Sequence, residues 1–156
     1  MKPILFSLPI LILTLISCGR VGPSKAPQTL ETVSSSYHLS DLTWKSAKNG
    51  LGPFEKDSSN GGQDGGDGLT LTINSVTFTK GLGLKAPADL SYDLGGACSS
   101  FSASVGVDDQ GNVVGGSVVF QIFADTTKIW DSGLMTDQYP AQSTGALSLT
   151  GKQKLR

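Results

Sequence analysis

Side chains that carry acid–base or covalent catalysis are scarce in this 156-residue chain, which has one histidine (His38), two cysteines (Cys18 and Cys98) and two glutamates (Glu31 and Glu55). An enzyme needs a nucleophile with its base, a carboxylate pair or a set of metal ligands. Asp108 and Asp109 are neighbours that point to opposite faces of an extended chain, which suits turn chemistry better than a glycosidase pair. Cys98 has no histidine near it in sequence and reads as a small buried apolar side chain. No catalytic residue is therefore expected. Charge is also sparse, at 16% of residues with a formal net charge of −1, so no basic field exists to attract nucleic acid. Nor is there an apolar run long enough for a membrane-spanning helix, since Ile4 to Ile16 is short and broken by Ser7, Pro9 and Thr14.

That run follows Lys2 and closes on Leu15-Ile-Ser-Cys18. A charged start and a short apolar centre predict a signal peptide over residues 1–17. The closing tetrapeptide resembles the bacterial lipobox, which implies cleavage before Cys18, lipid on its sulfur and acylation of the new amino group. Several acyl chains anchor stably at roughly 0.8 kcal/mol per buried CH₂. A cysteine lipidated in this way leaves no pair for an intrachain disulfide. Residues 18–36 are then the lipidated cysteine and a Pro-, Ser- and Thr-rich tether with a reach of roughly 20–25 Å. The expected location is the bacterial envelope, facing the periplasm or the exterior.

Glycine is the abundant residue, at 20, and from Tyr37 onward it separates short alternating segments. Leu90, Tyr92 and Leu94 share one face of a strand entered after Pro87. Gly81 and Gly83 around Leu82 point to close backbone approach or positive φ. Leu69 to Ile73, Asn74-Ser75 and Val76 to Thr79 predict a hairpin on a two-residue turn. Phe101, Ala103 and Val105 alternate with serines, Ser117 to Ala124 reads as a strand buried on both faces, and Lys128 to Asp131 as its return. Leu147 and Leu149 mark one further short strand. Tyr37, Leu39, Leu42 and Trp44 give a first strand with an irregularity near Ser40-Asp41. No stretch keeps a helical period, so the fold class is all-β.

Lys80-Gly-Leu-Gly-Leu-Lys-Ala86 followed by Tyr92-Asp-Leu-Gly-Gly96 resembles the signature of the NPCBM carbohydrate-binding family. Leu39 to Trp44, Gly52 to Asp57, Phe101 to Asp109 and Gly116 to Asp125 follow in the family's order, covering residues 37–156. The resemblance implies a jelly-roll antiparallel β-sandwich. The family pattern continues past Arg156, so the expected sandwich lacks its last strand, and its open edge could take a protein partner by strand addition.

Function follows from the same resemblance: a non-catalytic, lipid-tethered module that binds galactose-type glycans weakly. Sugar recognition needs an aromatic face and convergent polar groups on loops. The candidates are Trp44, Glu55, Asn60, Lys85, Asp108 and Trp130, with Trp44 read first as a core residue. The oxygen-rich segment Ala47 to Gly68 matches neither an EF-hand nor an RTX repeat; any Ca²⁺, which some family members bind, would involve Asp57, Asp64 and Asp67. Leu51 and Lys85 stand where the family commonly carries an aromatic and a histidine. Leu51 cannot stack as an indole does and Lys85 offers only donors, so the alternative is an envelope lipoprotein whose sandwich binds protein, its glycan site lost.

Overall fold

The computed structural model describes the backbone of residues 9–19, 34–111 and 117–156, and the side chains of residues 15–18, 35–110 and 117–156. In chain order the strands begin with β1 (Pro9–Gly19), β2 (Ser34–His38), β3 (Ser46–Lys48), β4 (Glu55–Lys56) and β5 (Leu71–Ile73). They continue with β6 (Val76–Phe78), β7 (Leu82–Lys85), β8 (Asp89–Asp93), β9 (Cys98–Val107) and β10 (Ser117–Ala124). The last are β11 (Thr127–Thr136), β12 (Gln142–Ser143), β13 (Leu147–Ser148) and β14 (Lys154–Leu155). One sheet runs β12-β9-β1-β7-β4, with β13 also on β9 and β2 also on β1; the second runs β11-β10-β14-β8-β3; β5 and β6 form a separate hairpin. All pairings are antiparallel, as a β-sandwich built from hairpins and long returns requires.

Alternation explains the core. Leu82 and Leu84 on β7 and Phe101, Ala103 and Val105 on β9 face inward from the first sheet, and Tyr92, Phe120, Ile122, Ala124 and Leu155 meet them from the second. Strand β10 departs from expectation. Its burial alternates, with Val119 45% exposed and Ser117 and Gln121 also at the surface, because a sheet in a two-layer sandwich has only one covered face. The β5–β6 hairpin turns on Asn74 and Ser75, both at positive φ, the geometry that matches strand twist in a two-residue turn. The irregularity expected after the first strand is a 3-10 turn at Leu39–Asp41, and the Tyr92 hydroxyl donates to the Leu39 carbonyl at 3.1 Å.

Two features of the N-terminal segment bear on its sequence reading without testing it. Residues Pro9–Gly19, expected to belong to a cleaved leader and the start of a tether, form β1, which pairs with β9 along one edge and with β7 and β2 along the other. An apolar run of this length satisfies a buried strand as well as a leader, and periodicity alone does not separate them. Ile16 is fully buried in the core. Cys18, expected to leave Cys98 unpaired, is joined to it by a disulfide, because the two residues are register partners on β1 and β9. Of the expected tether, Ser34 to Ser36 belong to β2, and residues 20–33 lie outside the described residues.

The disulfide closes a loop between residues 80 apart in sequence, for which chain entropy predicts about 4.5 kcal/mol of stabilisation. Reducing the full-length chain, or replacing Cys98 with serine, should lower the urea midpoint accordingly. An unchanged midpoint on reduction would remove the bond from the stability of the fold.

Candidate functional site

The candidate site is built on the short ladder between β4 and β7, in which Glu55 stands opposite Gly83 and Lys56 opposite Leu82. Leu82 and Leu84 fill the core, so the period of two puts Gly83 and Lys85 on the outer face. The segment 57–68 folds back over that face. A Cβ at Gly83 would fall far inside van der Waals contact with the Ser58 carbonyl and the Asn60 amide, so glycine is required here for close backbone approach.

Side chains of the ladder and of the roof itself hold the roof in place. The Asn60 Nδ2 donates to the Pro53 carbonyl at 2.6 Å, the Gly66 amide donates to Glu55 Oε1 at 2.8 Å, and Lys85 Nζ donates to the Gly61 carbonyl at 2.7 Å. Asn49 works from below: its Oδ1 accepts from the Lys85 amide at 2.7 Å and its Nδ2 donates to the Leu51 and Pro53 carbonyls. Ser59, fully buried, exchanges bonds with Leu69, whose amide also donates to Gln110 Oε1 at 3.1 Å. Asn49, Ser59 and Gln110 are not among the residues that the sequence pointed to. Their signal is faint, since an Asx or serine that ties two distant loops looks the same in sequence as one that ties its own turn.

Of the six residues expected to meet sugar, Glu55, Asn60 and Lys85 converge on this face. Glu55 is 7% exposed; its Oε2 has no hydrogen-bond partner among the described residues. Oε2 is thus an acceptor on the same face of the ladder as the donor-only ammonium of Lys85, a combination suited to a hydroxyl that both donates and accepts. Asp108 is placed differently. It is buried, with its oxygens accepting from the Thr72 and Gln110 amides at 2.9 Å each, and burial, against those two amides, raises its pKa. Asp109 holds the hairpin turn through the Asn74 and Ser75 amides, both at 2.8 Å. The two adjacent aspartates are backbone clamps, as their turn reading anticipated.

Both tryptophans are half-buried. Trp44 is half-buried against the core, its ring centroid 6.0 Å from that of Phe54, with the Lys56 ammonium 5.0 Å from its centroid. Trp130 packs half-buried from β11 in the other sheet. Tyr139 is the exposed aromatic among the described residues.

Asp57, Asp64 and Asp67 do not come together. Asp67 lies against Gly61 and Gly62, Asp64 is exposed, and Asp57 accepts from Lys80 Nζ at 2.9 Å and the Gly81 amide at 3.0 Å. No group of three His, Cys, Asp or Glu residues suited to a metal occurs among the described residues. Burial pushes the Asp57 carboxyl up, but Lys80 and Gly81 outweigh it and hold the group below its ordinary value of 3.8. A lowered carboxylate pKa stabilises the fold above the unfolded value and loses that contribution as pH falls through the folded one.

Two predictions follow from this geometry. Asp57→Asn should flatten the decline of melting temperature between about pH 5 and pH 2 relative to wild type; parallel acid limbs would contradict it. Gly83→Ala should destabilise by about 1–3 kcal/mol through overpacking and displace amide resonances of residues 57–68; an unperturbed loop would show that the close approach is not obligatory.

Comparison with known proteins bears on this face. The NPCBM/NEW2 domain model matches residues 35–156. A protein of Renibacterium salmoninarum named as an endo-alpha-N-acetylgalactosaminidase is 38% identical over 107 residues, spanning 68% of this chain but only 7% of that protein. Among solved structures, the CBM51 domain of Clostridium perfringens GH95, in complex with methyl-galactose, superposes with a TM-score of 0.68 at 34% identity, over 78% of this chain and 83% of that one. The CBM51-2 and INT domains of Clostridium perfringens ZmpB match in fold, with a TM-score of 0.65 at 20% identity over 97% of this chain and 33% of theirs. On the family model and the sandwich it matches, this chain belongs to the NPCBM/NEW2 domain family.

Proposed function

We propose that this chain is a non-catalytic carbohydrate-binding domain that takes a galactose-type sugar at the polar face that Glu55 and Lys85 of the β4–β7 ladder form with the segment 57–68. The observation that carries the reading is the 34% identical CBM51 domain solved with methyl-galactose. The N-acetylgalactosaminidase relative is also named for a galacto-configured sugar. In this reading Glu55 Oε2 and Lys85 Nζ bind hydroxyls, and Asn60 and Asn49 act by holding the loop. With each hydrogen bond netting about 0.5–1.5 kcal/mol, dissociation constants fall in the micromolar to millimolar range.

Titration of the full chain with methyl-galactose, N-acetylgalactosamine and glucose, with Ca²⁺ and with chelator, tests the reading. Galacto-configured sugars should bind, and Glu55→Gln should weaken them about tenfold, roughly 1.4 kcal/mol, with an unchanged melting temperature. Trp130→Ala should leave affinity unaltered. Absence of binding by any galacto-configured sugar in both conditions overturns it.

Attachment to the envelope through lipid on Cys18 is a second part of the proposal, supported by the apolar run that closes on Leu15-Ile-Ser-Cys18. Metabolic labelling with a fatty-acid analogue should mark the wild type and not Cys18→Ala. Equal labelling of both would end it.

A further inference from the structure

The loop 47–68, whose second half roofs the face of Glu55 and Lys85, carries a chemistry that sugar binding does not use. It contains four pairs in which an Asn or Asp precedes glycine, namely Asn49-Gly50, Asn60-Gly61, Asp64-Gly65 and Asp67-Gly68. Such a pair can close on itself. The glycine nitrogen, with no side chain to hinder it, attacks the carbonyl carbon of the preceding side chain and forms a five-membered succinimide. For this the peptide between the two residues must rotate, the glycine amide must be free to attack, and water must reach the ring.

Three of the pairs are locked. The Asn49 carboxamide donates to the Leu51 and Pro53 carbonyls and accepts from the Lys85 amide, and the Gly50 amide donates to the Lys85 carbonyl at 2.9 Å. Asn60 is 2% exposed, with its Nδ2 on the Pro53 carbonyl, so departing ammonia and incoming water are both shut out. A Cβ at Gly68 would fall far inside van der Waals contact with the Ser59 carbonyl, and the same close approach blocks rotation of the peptide after Asp67. Asp64-Gly65 differs in every respect. Both residues are exposed, and neither the Asp64 carboxyl nor the Gly65 amide has a hydrogen-bond or charged partner among the described residues. Space around Gly65 is open, a Cβ there coming only to 3.5 Å from Pro53 Cγ and 4.0 Å from Glu55 Oε1, and a Cβ at Gly66 would meet nothing.

We propose that Asp64 is a site of spontaneous isomerisation to isoaspartate, and that the change unfastens the roof from Glu55. In the first step the Gly65 nitrogen bonds to Asp64 Cγ, and the carboxyl hydroxyl leaves with the amide proton as water. In the second, water reopens the ring at one of its two carbonyls. Cleavage of the Cγ–N bond restores aspartate; cleavage of the bond from the main-chain carbonyl carbon to nitrogen routes the backbone through Cγ instead. Mass is unchanged, but the backbone gains one methylene just ahead of Gly66, whose amide donates to Glu55 Oε1 at 2.8 Å. That bond fixes the Glu55 carboxylate, so the effect on sugar affinity rests on the proposed function, whereas the chemistry at Asp64 does not.

The test is to age the full chain for weeks at body temperature in mildly acidic buffer, folded and in guanidinium, and to locate isoaspartate by electron-transfer fragmentation. Without structure asparagine closes faster than aspartate, because an amide releases ammonia more readily than a carboxylate sheds its oxygen. The unfolded sample should therefore react first at Asn49 and Asn60, and the folded one at Asp64, with more isoaspartate there than at the other three pairs combined. In the folded product, separated by chromatography, the Gly66 amide should exchange faster and methyl-galactose affinity should fall about tenfold, through loss of one charge-assisted hydrogen bond. Asp64→Glu, whose closure needs a six-membered ring, should age without either change. The same ranking of sites in folded and unfolded samples, or an isomerised chain with unaltered Gly66 exchange, overturns the proposal. A fresh chain that binds no galacto-configured sugar fails the sugar reading alone, and Gly66 exchange then decides.

Discussion

Close contact between the Gly83 backbone and the segment Ser58 to Asn60 is the constraint on which this end of the molecule depends. Gly83 sits on a strand whose neighbours, Leu82 and Leu84, are anchored in the core, so its position is not negotiable. Any side chain there would lift the roof. Lifting it would separate Asn60 from Pro53, Gly66 from Glu55 and Gly61 from Lys85, and the outward carboxylate and ammonium would lose the frame that orients them. A glycine-rich loop can carry a binding face only if something rigid lies beneath it.

The same economy governs the aspartates. A long loop leaves many amides without ladder partners, and buried amides must find acceptors. Asp108, Asp109 and Asp125 provide them, the last to the Gln153 and Lys154 amides. Oxygens committed to backbone amides have little left for a metal or a sugar. This explains why a region rich in carboxylates and amides presents a small polar face in which Glu55 and Lys85 stand out.

Much of the architecture was legible because it rests on local rules. The β5–β6 hairpin follows from two apolar runs about Asn74-Ser75, β8 from the alternation through Leu90, Tyr92 and Leu94, and the close approach at Gly83 from glycines on either side of an inward leucine. Glu55 and Asn60 are legible as polar groups on a glycine-rich loop and Lys85 as a departure from the family pattern, and the structure brings the three to one face. What was not legible depends on register over long distance. Asp108 opposite Thr72, Gln110 against Leu69 and Cys18 opposite Cys98 are decided by which strands lie side by side, and an apolar run such as Ile4 to Ile16 has no period that tells a leader from a central strand. Strand β10 misled because its outer face carries Val119 as well as Gln121; an even apolar content was taken for two covered faces when only one exists.

The pairing of Cys18 with Cys98 turns a matter of covalent chemistry into one of timing. A sulfur joined to another sulfur is not a nucleophile, and a sulfur carrying a thioether cannot be oxidised to a disulfide. If the proposed lipid anchor forms, whichever reaction reaches Cys18 first decides whether the apolar segment before it stays held between β7 and β9 or is cut away.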